Sequence, residues 1–166
     1  MKEDRRDFLL KVGTGAGVVA MCTQGAASLR SLVPNVSYDA PTTVKLGPPN
    51  DFPDGLKFLP DERLFVFREG KTFYAVSAVC THLGCTVRAE ALPRTETATV
   101  EGKALRLTHR FLCPCHGSKY SGDGTNVSGP APRPLAWYPL SVAPDDGQLV
   151  VDLAVEVGRD FRLVIA

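Results

Sequence analysis

Apolar and polar residues alternate in short runs through most of the chain, and Gly and Pro separate those runs. Together these features specify an all-β domain of antiparallel strands. With 15 Gly and 13 Pro in 166 residues, turns must be frequent, and beyond residue 32 no stretch carries the period of a helix of ten residues or more. The exception is an uncharged stretch, residues 12–29, just long enough to cross a bilayer as one helix. An apolar fraction of 44% with 22% charged residues excludes a disordered chain. A net charge of +1 offers nothing to a nucleic-acid partner.

The N-terminal helix comes first in chain order. Lys2, Arg5, Arg6 and Lys11 precede its uncharged stretch and only Arg30 follows it closely, so the positive-inside rule leaves the N-terminus in the cytoplasm. The domain that follows is then expected on the outer, periplasmic side. Arg5-Arg6 ahead of Phe8-Leu9 resembles a twin-arginine export signal, which serves proteins that take up a cofactor before crossing. Asp4 stands where such signals usually have Ser or Thr, and Lys11 comes one place late. Residues 1–32 therefore read as a signal or membrane anchor. "PNVSYDAPTTVKLGPPNDFPDG", within 33–55, holds five prolines and reads as a semi-rigid linker. Residues 56–166 make the domain, although alternation is already legible from about Thr43.

Three hairpins follow. Residues 64–68 and 72–79 flank a turn at Glu69-Gly70. Residues 97–111 fold back at Glu101-Gly102-Lys103, and the run from Trp137 folds back at Pro144-Asp145-Asp146-Gly147. A strand at 161–165 closes the sequence. Between these runs lie two loops, "CTHLGC" at 80–85 and "CPCHGS" at 113–118, holding four of the five Cys and two of the three His. Loops on a rigid sheet are where binding chemistry usually sits.

Thiols and imidazoles at this density imply a metal. Cys80, His82, Cys113 and His116 could hold a tetrahedral zinc ion. Cys85 and Cys115, one from each loop, would then be left over, and neither loop has the two-residue spacing that zinc ribbons favour. Both loops resemble, at six positions of six, the two boxes of the Rieske iron–sulfur proteins, and "SGPAPRPL" at 128–135 resembles the proline-rich loop of that family. The resemblance implies an antiparallel Rieske-type β domain with one [2Fe–2S] cluster. Cys80 and Cys113 would bind one iron, and His82 and His116 the other. Cys85 and Cys115 would form a disulfide, and Gly129, Pro130, Ala131 and Pro132 would cover the cluster. Ser118 and Tyr120 would hydrogen-bond to a bridging sulfide and a ligand thiolate, favouring the reduced cluster. Exchanging two thiolates for neutral imidazoles raises the potential of such centres to roughly −150 to +300 mV.

The resemblance further implies the electron-carrying subunit of a bc1- or b6f-like quinol–cytochrome c oxidoreductase, an enzyme component that is not catalytic alone. Its partners would be a cytochrome b-type subunit, a c-type cytochrome and quinol. His116 and His82 would face the quinol, and Leu83 would pack against the quinone site. The alternatives are the small subunit of an arsenite-oxidase-like enzyme, which usually departs from "CHGS" and the following tyrosine, and a Rieske-type ferredoxin, which usually lacks the disulfide pair. A Rieske oxygenase needs a further iron held by two His and a carboxylate; only His109 remains. His109 reads as an exposed strand residue, Cys22 as a buried apolar filler and Trp137 as core. The 27 residues between Cys85 and Cys113 exceed the short members of the family, and the extra length is the 97–111 hairpin.

Overall fold

Arg5–Ser31 forms one 27-residue helix, α1. No proline interrupts it, and Asp7 in its first turn and Arg30 in its last complement the helix dipole. In this computed structural model, which describes residues 4–33, 42–100 and 102–165, α1 belongs to one unit (1–40) and all the strands to a second (41–166). The helix has the length expected of a span but not the apolarity. Gly13, Gly15, Gly17 and Gly25 dilute it, and the Thr14 and Thr23 hydroxyls donate back to the Leu10 and Val19 carbonyls at 2.7 and 3.0 Å. Among the described residues no helix is long and apolar enough to cross a membrane. The expected helix is present, and it is weakly apolar for a membrane span. Cys22, expected to be buried, is exposed on it.

Of the segment expected as linker, 34–41 lies outside the described residues. The remainder from Thr43 is folded. Strand β1 (Thr43–Gly47) is followed by a 3-10 turn at Pro49–Asp51, and Phe52 is buried with its ring edge-on to Phe73 at 6.4 Å. Val44 and Leu46 supply the alternation that begins there and pack against the second core.

The rest of the domain is antiparallel throughout. Strands β2 (Gly55–Leu59), β3 (Leu64–Glu69), β4 (Thr72–Ser77) and β12 (Leu163–Val164) order as β12-β4-β3-β2, with β9 (Trp137–Tyr138) also pairing with β4. Strands β10 (Leu140–Val142) and β11 (Leu149–Asp152) join β1 in the order β1-β11-β10. Strands β5 (Arg88–Val100), β6 (Lys103–Leu112), β7 (Lys119–Tyr120) and β8 (Asn126–Ser128) form a third sheet in that order.

The β2–β4 sheet is the middle layer. Phe65 and Phe67 point into one core with Tyr74, Phe111 and Trp137, while Leu64 and Val66 point into a second with Phe73, Leu140 and Val151. A strand buried on both faces needs a continuous apolar run, and "LFVF" supplies it. The Phe67, Tyr74 and Trp137 rings stack in a column at centroid spacings of 4.7 and 5.0 Å. Trp137 is core as expected, and its indole donates to the Asp123 carbonyl at 2.9 Å.

The long hairpin is not decoration. Val100, Leu105 and Leu107 are buried in the first core, and β5 starts at Arg88 rather than 97. Pro93 lies where the β5–β6 register shifts between Ala91 and Glu96, the kind of irregularity that tolerates a proline. His109, expected to be exposed, is half-buried with its ring 6.0 Å from that of Phe67, and burial lowers its pKa.

Candidate metal centre

The two Cys/His loops leave the sheets as matching turns. In the first, between β4 and β5, the Cys80 amide donates to the Cys85 carbonyl at 2.8 Å and the Gly84 amide to the Cys80 carbonyl at 2.9 Å. In the second, between β6 and β7, the Cys113 amide donates to the Ser118 carbonyl at 2.8 Å and the Gly117 amide to the Cys113 carbonyl at 3.1 Å. Each turn aims its first cysteine inward, so Cys80 and Cys113 are both 2% exposed. Cys85 and Cys115 form a disulfide across the loops, and their sulfurs lie within 4.8 Å of the Cys113 thiol. Bonded to each other, they leave Cys80 and Cys113 as the two buried free thiols, the candidate sulfur donors.

The imidazoles stand on the outer side. The His82 and His116 rings lie 4.8 Å apart and perpendicular, His82 half-buried and His116 exposed. The His82 Nδ1 atom is buried with no hydrogen-bond partner. A buried polar atom without a partner is costly, and a metal ion would satisfy it. Leu83, between His82 and Gly84, is 70% exposed.

Hydroxyls surround the inner side. The Tyr120 hydroxyl lies 3.2 Å from the Cys80 sulfur and 3.3 Å from the Thr81 amide, which donates to it. Ser118 is fully buried and its hydroxyl accepts the Ala131 amide at 3.2 Å. Burial alone would push the Cys80 thiol up; the Tyr120 hydroxyl, the His82 backbone, Cys113 and Ser118 together outweigh it and hold the thiol below its ordinary range. The proline loop closes this side. Gly129 has φ +95°, and a Cβ there would sit 2.5 Å from the Ser118 Cα, so only glycine lets the loop approach so closely. Ala131 is buried, while Pro130 and Pro132 are exposed.

Thr81 was not singled out from the sequence, where a Thr between Cys and His reads as turn composition. In the fold it ties three elements together. Its amide meets Tyr120 and its hydroxyl donates to the Arg133 carbonyl of the proline loop at 2.6 Å.

Two buried thiols, two facing imidazoles and an unpartnered imidazole nitrogen fit a metal centre with mixed sulfur and nitrogen donors. They define an iron–sulfur or zinc protein, and the comparisons decide between the two. The family described as Rieske [2Fe-2S] domain matches residues 41–139. The chain belongs to that family, and its cofactor is a [2Fe–2S] cluster. It is 35% identical to the cytochrome b6-f complex iron-sulfur subunit of Chlorobaculum tepidum over 162 residues, covering 91% of this chain and 76% of the relative. It is 31% identical to the same subunit of Chlorobaculum thiosulfatiphilum over 153 residues, covering 86% and 72%. A chain of a hyperthermophilic respiratory Complex III structure aligns at 25% identity and a TM-score of 0.39, covering 84% of this chain and 98% of its own.

Proposed function

We propose that this chain is the electron-carrying subunit of a bc-type quinol–cytochrome oxidoreductase, taking an electron and a proton from quinol and passing the electron to a c-type cytochrome. The observation that carries the reading is the asymmetry of the site. Both thiols are buried, while His116 and Leu83 are exposed at the loop crests. The bound cluster supplies one-electron chemistry at a potential raised by its neutral imidazole ligands.

The chain's own residues do the rest. Cys80 and Cys113 would hold one iron of the cluster, and His82 and His116 the other. A His116 ring nitrogen accepts the hydrogen bond of the quinol hydroxyl and holds the proton, as an imidazole bound through one nitrogen can with the other. His82 presents the second imidazole edge. Leu83 fills an apolar recess of a cytochrome b-type subunit. The Tyr120 and Ser118 hydroxyls favour the more negative, reduced state. The proline loop shields the inner side from water. Arg5 and Arg6 direct export, α1 attaches the protein to the membrane complex, and residues 33–42 act as the neck. The Cys85–Cys115 disulfide supports placement of the domain on the outer side, since disulfides persist in oxidising compartments.

The test is a redox titration followed by EPR on the full-length protein at several pH values. A high potential that falls as pH rises is expected. A low potential that is flat with pH would place the protein with the ferredoxins and overturn the reading.

A further inference from the structure

Arg63 is the only non-glycine residue among those described with a left-handed backbone, at φ +50°. For an L-residue with a long side chain this conformation is unfavourable and persists only when surrounding contacts fix it. The contacts are present. The Arg63 carbonyl, at the turn between β2 and β3, accepts the Ala78 amide at 2.7 Å, just after β4 ends. This backbone pose sends the guanidinium over the first cluster loop. There Nε donates to the Thr86 hydroxyl at 3.0 Å and Nη2 to the Gly84 carbonyl. Gly84 and Thr86 are the two neighbours of Cys85. One planar fork therefore grips the chain on both sides of the disulfide cysteine, from a turn some twenty residues upstream.

We propose that Arg63 is a positioning residue for the cluster. Its fork fixes Cys85 and the Leu83–Gly84 crest, and so holds the two loops in register through the disulfide. The loop's internal bonds, Cys80 amide to Cys85 carbonyl and Gly84 amide to Cys80 carbonyl, close on either side of the gripped residues. The fork adds an external contact on the Cys85 side of the loop, where the Thr81 bonds hold the other side. Arginine rather than lysine suits the site because two separate nitrogens of one planar group, Nε and Nη2, meet two acceptors at once. The inference rests on the residues of the loop and not on the quinol reading.

Arg63→Gly isolates the fork, since glycine adopts the left-handed conformation without strain. In the full-length, cluster-loaded protein, reduction of the Cys85–Cys115 disulfide by excess dithiothreitol should be about tenfold faster, the equivalent of one charge-assisted hydrogen bond. Amide exchange at Cys80 and Gly84 should accelerate likewise, while exchange at Val66 and Ala75 in the middle sheet stays at the parent rate. The EPR g-values should shift without loss of iron. Arg63→Lys, which keeps the charge and the alternative of a folded variant, should stay nearer to Arg63→Gly than to the parent. Unchanged disulfide reduction and loop exchange would overturn the proposal. So would equal acceleration in the middle sheet, which would make Arg63 a general stability residue, and so would full rescue by lysine, which would make it a charge alone.

Discussion

Three turns of this domain share one backbone, and only two of them carry the proposed metal ligands. At the β10–β11 turn the Ala143 amide donates to the Gln148 carbonyl at 2.8 Å and the Gly147 amide to the Ala143 carbonyl at 2.9 Å. This is the hydrogen-bond pattern of residues 80–85 and 113–118. The glycine at the fifth place is left-handed in all three, with φ of +75°, +71° and +73° at Gly84, Gly117 and Gly147. The first residue is buried in all three: Cys80, Cys113 and Ala143. What differs is the side chains between. The metal loops place His82 and His116 at their crests, whereas "APDDGQ" presents Asp145 and Asp146, which pair with Lys45 of β1 at 2.7 and 2.8 Å. The turn is thus a general way for this sheet to reverse direction with its first side chain aimed inward. A thiol at that place makes it a candidate ligand.

The comparison breaks most completely at the thiol. Cys113→Ala gives the second loop the inward residue of the third turn. Iron and the EPR signal should be lost entirely, because three remaining donors cannot hold both irons. The β-sheet circular dichroism should survive, because Ala143 shows the turn closing without a thiol. A variant that still binds two irons would mean the inward thiol is not a ligand. The next largest effect belongs to the cross-link that the third turn lacks. The disulfide spans a sequence separation of 30, so Cys85→Ser should destabilise the cluster-free protein by about 3–4 kcal/mol in urea unfolding. A change well under 1 kcal/mol would mean that other contacts already hold the loops together.

Tyr120→Phe sharpens the comparison on the chemical side. The hydroxyl 3.2 Å from the Cys80 sulfur has no counterpart beside Ala143. Its removal should lower the reduction potential by roughly 40–90 mV, the one-electron equivalent of about 1–2 kcal/mol of charge-assisted hydrogen bonding, with the cluster retained. An unchanged potential would detach the hydroxyl from the redox centre. On the backbone side, a Cβ at Gly84 or Gly147 would meet nothing within 4 Å, so only the left-handed φ opposes alanine. Gly147→Ala and Gly84→Ala should each cost about 1 kcal/mol in the cluster-free protein. Costs differing severalfold would show that the turns are alike in outline only.

The sequence disclosed the metal loops more fully than the sheet that carries them. Both Cys/His boxes are contiguous, so six letters hold the whole signal, and hairpins such as β3–β4 announce themselves by alternation. At β1 the alternation of Val44 and Leu46 is legible, but three prolines, at 48, 49 and 53, follow it closely and give the same stretch the look of a linker. The start of β5 was missed because its first half, around Pro93, is charged and irregular. Strands β7 and β8, of two and three residues, are too short to show a period. The length and absence of charge that suggest a membrane span are legible in the sequence, and the glycines of α1 leave that helix less apolar than a span requires. Arg63 and Thr81 could not have been found at all: their roles arise from contacts that join distant parts of the chain. The kinship of "APDDGQ" with the metal loops was equally hidden, since only the placement of Gly at the fifth position is common to all three.

The smallest effect concerns the carboxylates that the metal loops lack. Lys45 lies closest among the causes that hold Asp146 below its ordinary value of 3.8, followed by the Gln148 amide, while Asp145 and then Asp146 hold Lys45 above 10.5. A carboxylate depressed by folding contributes stability that is fully present above 3.8 and is lost as pH falls through its lower folded value. A raised lysine contributes below 10.5 and loses its contribution as pH rises through the higher folded value. The pair is exposed, so water and salt screen it and the effect must be slight. In the cluster-free protein, the difference in melting temperature between parent and Lys45→Ala should therefore be small and positive near neutrality. It should begin to decline as pH falls below 3.8, vanish below the lower folded value, and shrink at neutral pH in 1 M salt. The loops at 80–85 and 113–118 carry no carboxylate, so Thr81→Ala should leave that acid dependence unchanged. If Lys45→Ala instead kept its full difference from the parent in acid, the third turn would be held by packing of Ala143 and Leu149, and its charged crest would be incidental to the fold.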